Sequence, residues 1–403
     1  MRIRQSARLA DVCYDIRGPV LARAKQLEDA GAEIIKLNIG NPGAFGFEAP
    51  AEVSAALVEH LPRAAGYSDS KGIPVAREAV AAHYRSIGVP DVDIEDVYLG
   101  NGVSELIQLA LGALLDAGDE VLIPSPDYPL WTAAVSLTGA RPVHYRCDES
   151  VGWQPDLEDI RSKVTPRTRA IVVINPNNPT GAVYSREVLE SIAAVARDHQ
   201  IVLMADEIYD RILYDGAEHH SVAVLAPDVL TLTFSGLSKA YLVAGYRAGW
   251  MLVAGPKEMA SSYIEGLDIL TNMRLCANHP AQHAVAAALA GPQSIREMTL
   301  PTGRLGLQRD RSLELLTEIP GVTCVKPQGA LYLFPRLDPE RYVIKDDQQF
   351  VLELLEAQHL LLVQGTGFNL PTTDHLRIVT LPPVEVLEEA IGRLGEFLGK
   401  YGT

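Results

Sequence analysis

Short, almost wholly apolar runs separated by amphipathic stretches occupy the middle of the chain, and they constrain its fold more than any other feature. Val97–Leu99, Glu120–Ile123, Ala170–Asn175, Ile201–Ala205, Val229–Phe234 and Gly249–Val253 read as strands. Continuous apolar character, rather than alternation, suits strands buried on both faces of a sheet. Between them, Ser104–Asp116 carries Leu106, Ile107, Leu109, Ala110, Ala113 and Leu114 at helical spacing, and Ser185–His199 opens on a capping serine. Strands alternating with helices predict an α/β domain with a mostly parallel sheet flanked by helices. Ligands then bind beyond the carboxyl ends of its strands.

The two ends of the chain read differently. One helix-like stretch, Val20–Ala30, precedes a turn rich in Gly and Pro at 40–46. Beyond about residue 290 the pattern predicts a helix near Thr302–Glu318, then a hairpin of Val322–Lys326 and Ala330–Phe334 turned by Pro327-Gln-Gly329. A helix (Asp346–Gln358), two strands (Leu360–Val363 and His375–Val379) and a last helix follow. The expected division is 1–50 as an N-terminal arm and part of a smaller domain, 51–290 as the large domain, and 291–403 as a smaller α+β domain. A chain of 403 residues is long enough to bury two or three cores.

Composition narrows the partners. With 35 Lys+Arg against 51 Asp+Glu the net charge is −16, and no dense basic run offsets it, so nucleic acid is not an expected partner. No apolar run has the length of a membrane helix, and the basic N-terminus lacks the apolar stretch of a signal peptide. Cys13, Cys147, Cys276 and Cys324 are far apart with no CxxC pair, so we expect reduced thiols in a cytoplasmic protein and no metal site.

Four strand ends carry chemistry. In Phe234-Ser-Gly-Leu-Ser-Lys239 a lysine sits in a loop of small residues, with Arg247 eight residues on. Desolvation there favours the neutral amine, the form that attacks aldehydes. Ser238, loop N–H groups and Arg247 can hold a phosphate, whereas a surface lysine in a turn is the plainer reading. Ile201-Val-Leu-Met-Ala-Asp206 ends a buried strand in a carboxylate, which needs a cationic partner such as a protonated pyridine, or else caps the next helix. Tyr209 lies three residues further. Asn178 follows the strand at 171–174 in a Pro-punctuated turn. Gly102-Val103-Ser104 turns from strand to helix and offers free N–H groups to an anion.

In this order the motifs resemble the class I/II aminotransferases, which share the pyridoxal 5′-phosphate (PLP) fold type I, and the resemblance covers essentially the whole chain. It implies that Lys239 is the Schiff-base lysine and catalytic base, that Asp206 pairs with the pyridinium nitrogen, and that Tyr209 and Asn178 bond the ring 3′-oxygen. It implies a phosphate cup of Gly102, Val103, Ser104, Ser238 and Arg247, with Tyr128 stacked on the ring and Tyr67 reaching across a homodimer. Position 236 is Gly where many relatives have Ser. Arg377, in Asp374-His-Leu-Arg377, matches the arginine that grips the substrate α-carboxylate, and Gly40 matches the backbone that lines the substrate pocket.

Segments around Tyr14, Arg17, Tyr67, Trp131 and Arg274 are similar to bacterial alanine aminotransferases (glutamate–pyruvate transaminases). That implies L-alanine and 2-oxoglutarate as substrates, exchanged by ping-pong transamination. An aspartate or aromatic aminotransferase, or a PLP lyase on the same fold, is the alternative. Gly236-Leu-Ser238-Lys-Ala approaches the G-x-S-x-G elbow of serine hydrolases but lacks its last glycine. For the distal carboxylate of glutamate, Arg17 is preferred over Arg274, because a fixed buried arginine would be left unpaired by alanine.

Overall fold

The computed structural model describes residues 3–9, 12 and 18–401. Its centre is an eight-stranded sheet in the order Val97–Gly100, Gly249–Ala254, Thr231–Gly236, Val202–Asp206, Thr168–Ile174, Glu120–Ser125, Arg141–Asp148, Gln154–Pro155. Gly249–Ala254 pairs antiparallel with both its neighbours and Gln154–Pro155 with its one; the remaining pairs are parallel. Residues along Thr168–Ile174 alternate between two apolar clusters. Ile171 and Val173 join one with Leu203 and Ala205, while Ala170, Val172 and Ile174 join the other with Met204. Helices cover both faces, which is why these strands carry no polar side.

The six strands with apolar sequences form as expected, with no bound shifted by more than two residues. Helix Arg186–His199 begins where the Ser185 side chain accepts a hydrogen bond from the Val188 N–H. Arg141–Asp148 escaped the sequence reading because it lies near the sheet edge, with polar residues interleaved along a half-exposed strand.

The expected hairpin does not form. Val322–Thr323 pairs with Arg336–Leu337 instead, and Tyr332–Leu333 pairs with Leu376–Val379, placing Tyr332 opposite Val379. The Pro327-Gln-Gly329 turn reaches over to the large sheet. The N–H groups of Gln328 and Gly329 both donate to the Gly181 carbonyl, at 2.9 and 2.8 Å, and Ala330 N–H donates to Ile212 O. Those long-range bonds take the backbone groups that a hairpin would have used. Helix Pro19–Asp29 and strand Ile35–Lys36 join the C-terminal region: Ile35–Lys36 runs parallel to Leu360–Leu361, and Val20, Ala24 and Leu37 share a core with Leu354 and Leu394. No helix of the described residues is long and apolar enough to cross a membrane.

Candidate active site

Because the parallel strands all point one way, their carboxyl ends bring distant turns together. Strand 97–100 delivers Gly102, strand 168–174 delivers Asn178, strand 202–206 ends on Asp206, and strand 231–236 leads to Ser238 and Lys239. The reversed strand Gly249–Ala254 starts at the same edge, just after Arg247. The result is a cavity of about 540 Å³ lined by Gly40, Val103, Ser104, Tyr128, Asn178, Asp206, Tyr209, Ser238, Lys239, Arg247 and Arg377. Eleven residues singled out in the sequence therefore share one space.

At one end of the cavity, helix Val103–Leu114 presents its N-terminus. Gly102 precedes it with φ +83°, a left-handed conformation, and a Cβ there would collide with the Arg247 guanidinium. Arg247 donates to Asn101 O (3.1 Å) and Ala244 O (3.0 Å), and lies 3.5 Å from Ser238 Oγ. Gly249 packs so closely that its Cβ would come 2.8 Å from the Val103 nitrogen. Gly236 is paired with Gly249, and a Cβ there would meet Ala248 O and Gly249 Cα, each at 2.8 Å. A side chain at 236 would therefore press into this backbone.

At the floor, Asp206 accepts from Trp131 Nε1 (3.1 Å) and from Ile208 N–H (3.4 Å). Burial pushes its carboxyl up to about 6. Lys239 Nζ donates to the Gly40 carbonyl at 2.6 Å. Gly40 has no space for a side chain, since its Cβ would lie 2.5 Å from the Tyr332 hydroxyl. Arg377 is only 2% exposed. It donates to Asn178 Oδ1 (3.1 Å) and to the Asn38 carbonyl, and its guanidinium lies 4.5 Å from the ring centres of both Tyr332 and Phe368.

Other sequence-derived candidates lie elsewhere. Tyr67 is 81% exposed and does not line the cavity of its own chain. Arg274 forms an ion pair with Glu105 and donates to Ser70 O and Leu99 O, also away from the cavity lining. Tyr14 and Arg17 lie outside the described residues. Sequence reasoning missed Tyr332, which touches Tyr209, Gly40 and Arg377, and missed Trp131 as the donor to Asp206. Trp131 was findable, three residues after Tyr128 and just inside a helix; Tyr332 gave no local signal.

The donor set fits PLP. A helix N-terminus, Ser104, Ser238 and Arg247 suit a phosphate. A buried carboxylate whose ionisation is disfavoured suits a protonated ring nitrogen, and a lysine at the same cavity suits an aldehyde.

Residues 32–394 match the family model described as aminotransferase class I and II. The glutamate-pyruvate aminotransferase AlaA of Escherichia coli (strain K12) is 60% identical over 99% of this chain and 98% of its own. The alanine aminotransferase of Mycobacterium tuberculosis (strain H37Rv) is 63% identical over 98% of this chain and 93% of its own. The crystal structure of an aminotransferase from Escherichia coli superposes with a TM-score of 0.99 at 59% identity, covering all of both chains. A matching cavity, a matching family model and full-length relatives lead to one conclusion: the chain belongs to the class I and II aminotransferases and is a PLP-dependent enzyme.

Proposed function

We propose that this aminotransferase is an alanine aminotransferase, exchanging the amino group between L-alanine and 2-oxoglutarate to give pyruvate and L-glutamate, and that it works as a cytoplasmic homodimer. The observation that carries the reading is the convergence of Lys239, Asp206 and Arg377 on one cavity, taken with the names of the relatives at 60–63% identity. When bound, PLP supplies an aldehyde carbon for the amino group and a protonated ring that spreads the charge left when the α-proton departs.

The chain's own residues have these roles. Arg377 binds the α-carboxylate with its guanidinium fork, exchanging its bond to the Asn38 carbonyl for the ligand. Lys239 would hold the cofactor through its aldehyde carbon, and its Nζ, as a free amine, would take the α-proton of the substrate. Asp206 keeps the ring nitrogen protonated, and that cation restores the ionisation which burial disfavours. Tyr209 and Asn178, which line the cavity, would donate to the ring 3′-oxygen, and Tyr128 would pack against the ring. Gly102, Val103, Ser104, Ser238 and Arg247 hold the phosphate, joined by Tyr67 from a second subunit.

Support for that second subunit is the exposed Tyr67, Met273 and Leu275 on neighbouring segments, tied together by Arg274 to Ser70 O and His279 to Gly66 O. Since Arg274 is engaged with Glu105, Arg17 is the cation assigned to the distal carboxylate of glutamate. Arg17→Ala is expected to raise KM for glutamate and 2-oxoglutarate far more than for alanine; equal rises would mean that Arg17 only anchors its segment. The whole reading is tested by following pyruvate formation from alanine and 2-oxoglutarate. Parallel double-reciprocal lines are expected, as ping-pong exchange requires. Transfer from aspartate or tyrosine with none from alanine would overturn it.

A further inference from the structure

Tyr332 joins three residues of the site, Tyr209, Gly40 and Arg377, through one side chain. Its hydroxyl lies 2.6 Å from the Tyr209 hydroxyl, the two rings meeting edge-on at 79°. The same hydroxyl lies against the Gly40 α-carbon. The Arg377 guanidinium sits 4.5 Å from its ring centre. Both tyrosines are buried. The placement follows from sheet register: Tyr332 is paired with Val379, and Arg377 projects from the same face two residues away.

We propose that Tyr332 is a positioning residue, whose hydroxyl donates to Tyr209 and so turns the Tyr209 proton toward the cofactor's 3′-oxygen; this rests on the role given to Tyr209 above. Two phenols bring two protons, and a single O–H···O contact uses one of them. If Tyr209 donated to Tyr332, it would have no proton left for the ring oxygen. The surroundings of the Tyr332 hydroxyl set the opposite direction. The Tyr332 hydroxyl is walled on one side by the Gly40 α-carbon, and among the described residues Tyr209 is its hydrogen-bond partner. Burial holds the Tyr209 phenol well above its ordinary range, so Tyr209 keeps the proton it is to donate. A chain running from Tyr332 through Tyr209 to an anionic oxygen strengthens each bond along it. It also links the arginine that grips the substrate to the oxygen that tunes the cofactor.

The test uses the PLP-loaded protein and the pH midpoint of its visible absorbance band, compared among the wild type, Tyr332→Phe, Tyr209→Phe and the double variant. Loss of a donor leaves the 3′-oxygen less stabilised as an anion, so the Lys239 nitrogen joined to the cofactor holds its proton to higher pH. Tyr332→Phe keeps the ring and loses the hydroxyl. We expect its midpoint to rise by about half to one pH unit, the size of one hydrogen bond. Tyr209→Phe should rise further. The double variant should match Tyr209→Phe alone, because Tyr332 acts only through Tyr209. An unmoved midpoint in Tyr332→Phe, or full addition of the two shifts in the double variant, overturns the inference while leaving the proposed function intact. A wild-type protein without a pH-dependent band, or one that Tyr209→Phe leaves unmoved, overturns the role of Tyr209 and this inference with it.

Discussion

Arg377 shows how a single residue serves two requirements. A guanidinium that is 2% exposed must be hydrogen-bonded at all times. Here Asn178, the Asn38 carbonyl and the flanking rings of Tyr332 and Phe368 hold it when no substrate is bound. A carboxylate can take over one of those bonds without leaving the charge unpaired. Lysine in its place keeps the charge but loses the planar fork and the stacking between the two rings. Arg377→Lys is therefore expected to lower kcat/KM for alanine and for glutamate alike, by about 30- to 1,000-fold, the range for breaking a buried charge contact. Steady-state kinetics on both substrates checks this, and a loss confined to glutamate would move Arg377 to the distal carboxylate instead.

At the level of elements, the site exists because five strand ends and one helix start meet at a single edge of the sheet, and glycines let them approach. Gly249 is the clearest case, its α-carbon lying against the Gly102–Val103 peptide. Gly249→Ala would push the helix start away from Arg247. We expect a loss of about 1–3 kcal/mol in stability, typical of overpacking, together with weaker PLP binding, read by thermal melting with and without cofactor. The chemistry of these turns was legible in the sequence because each is local: a strand, a few residues of turn, and one reactive side chain within five positions of the strand end, as in Asp206 and Lys239. Tyr332 was not legible, because its neighbours Tyr209, Gly40 and Arg377 come from three other segments. Only the pairing of Tyr332 with Val379, which replaces the expected hairpin, makes it part of the site. Arg141–Asp148 was missed for a different reason: a half-exposed strand lacks the apolar run by which buried strands announce themselves.

For the molecule as a whole, the edge that holds the site is also a place of buried acids. Burial pushes Asp206 and Asp210 up to about 6, Asp127 to about 7 and Glu207 to about 8. Their unfolded values lie near 4. Between about pH 4 and pH 8 the folded chain therefore holds protons at these groups that the unfolded chain has lost, and their contribution to stability falls as pH rises through each folded value. The melting temperature of the cofactor-free protein is expected to decline from about pH 6 to about pH 8.5, and Glu207→Gln to flatten the upper part of that decline. A melting temperature that climbs over this range would contradict the assignment. PLP should oppose the Asp206 part of the loss, since a ring cation favours the carboxylate. The central claim, that this fold gathers its strand ends into a PLP site where Lys239 moves the amino group of alanine, is tested most directly by absorbance of the loaded protein. Adding L-alanine alone should abolish the visible band as the cofactor takes up the amino group, and 2-oxoglutarate should restore it, with neither change in Lys239→Ala. A band indifferent to alanine in the wild type, or a full cycle in Lys239→Ala without added amine, would contradict the account.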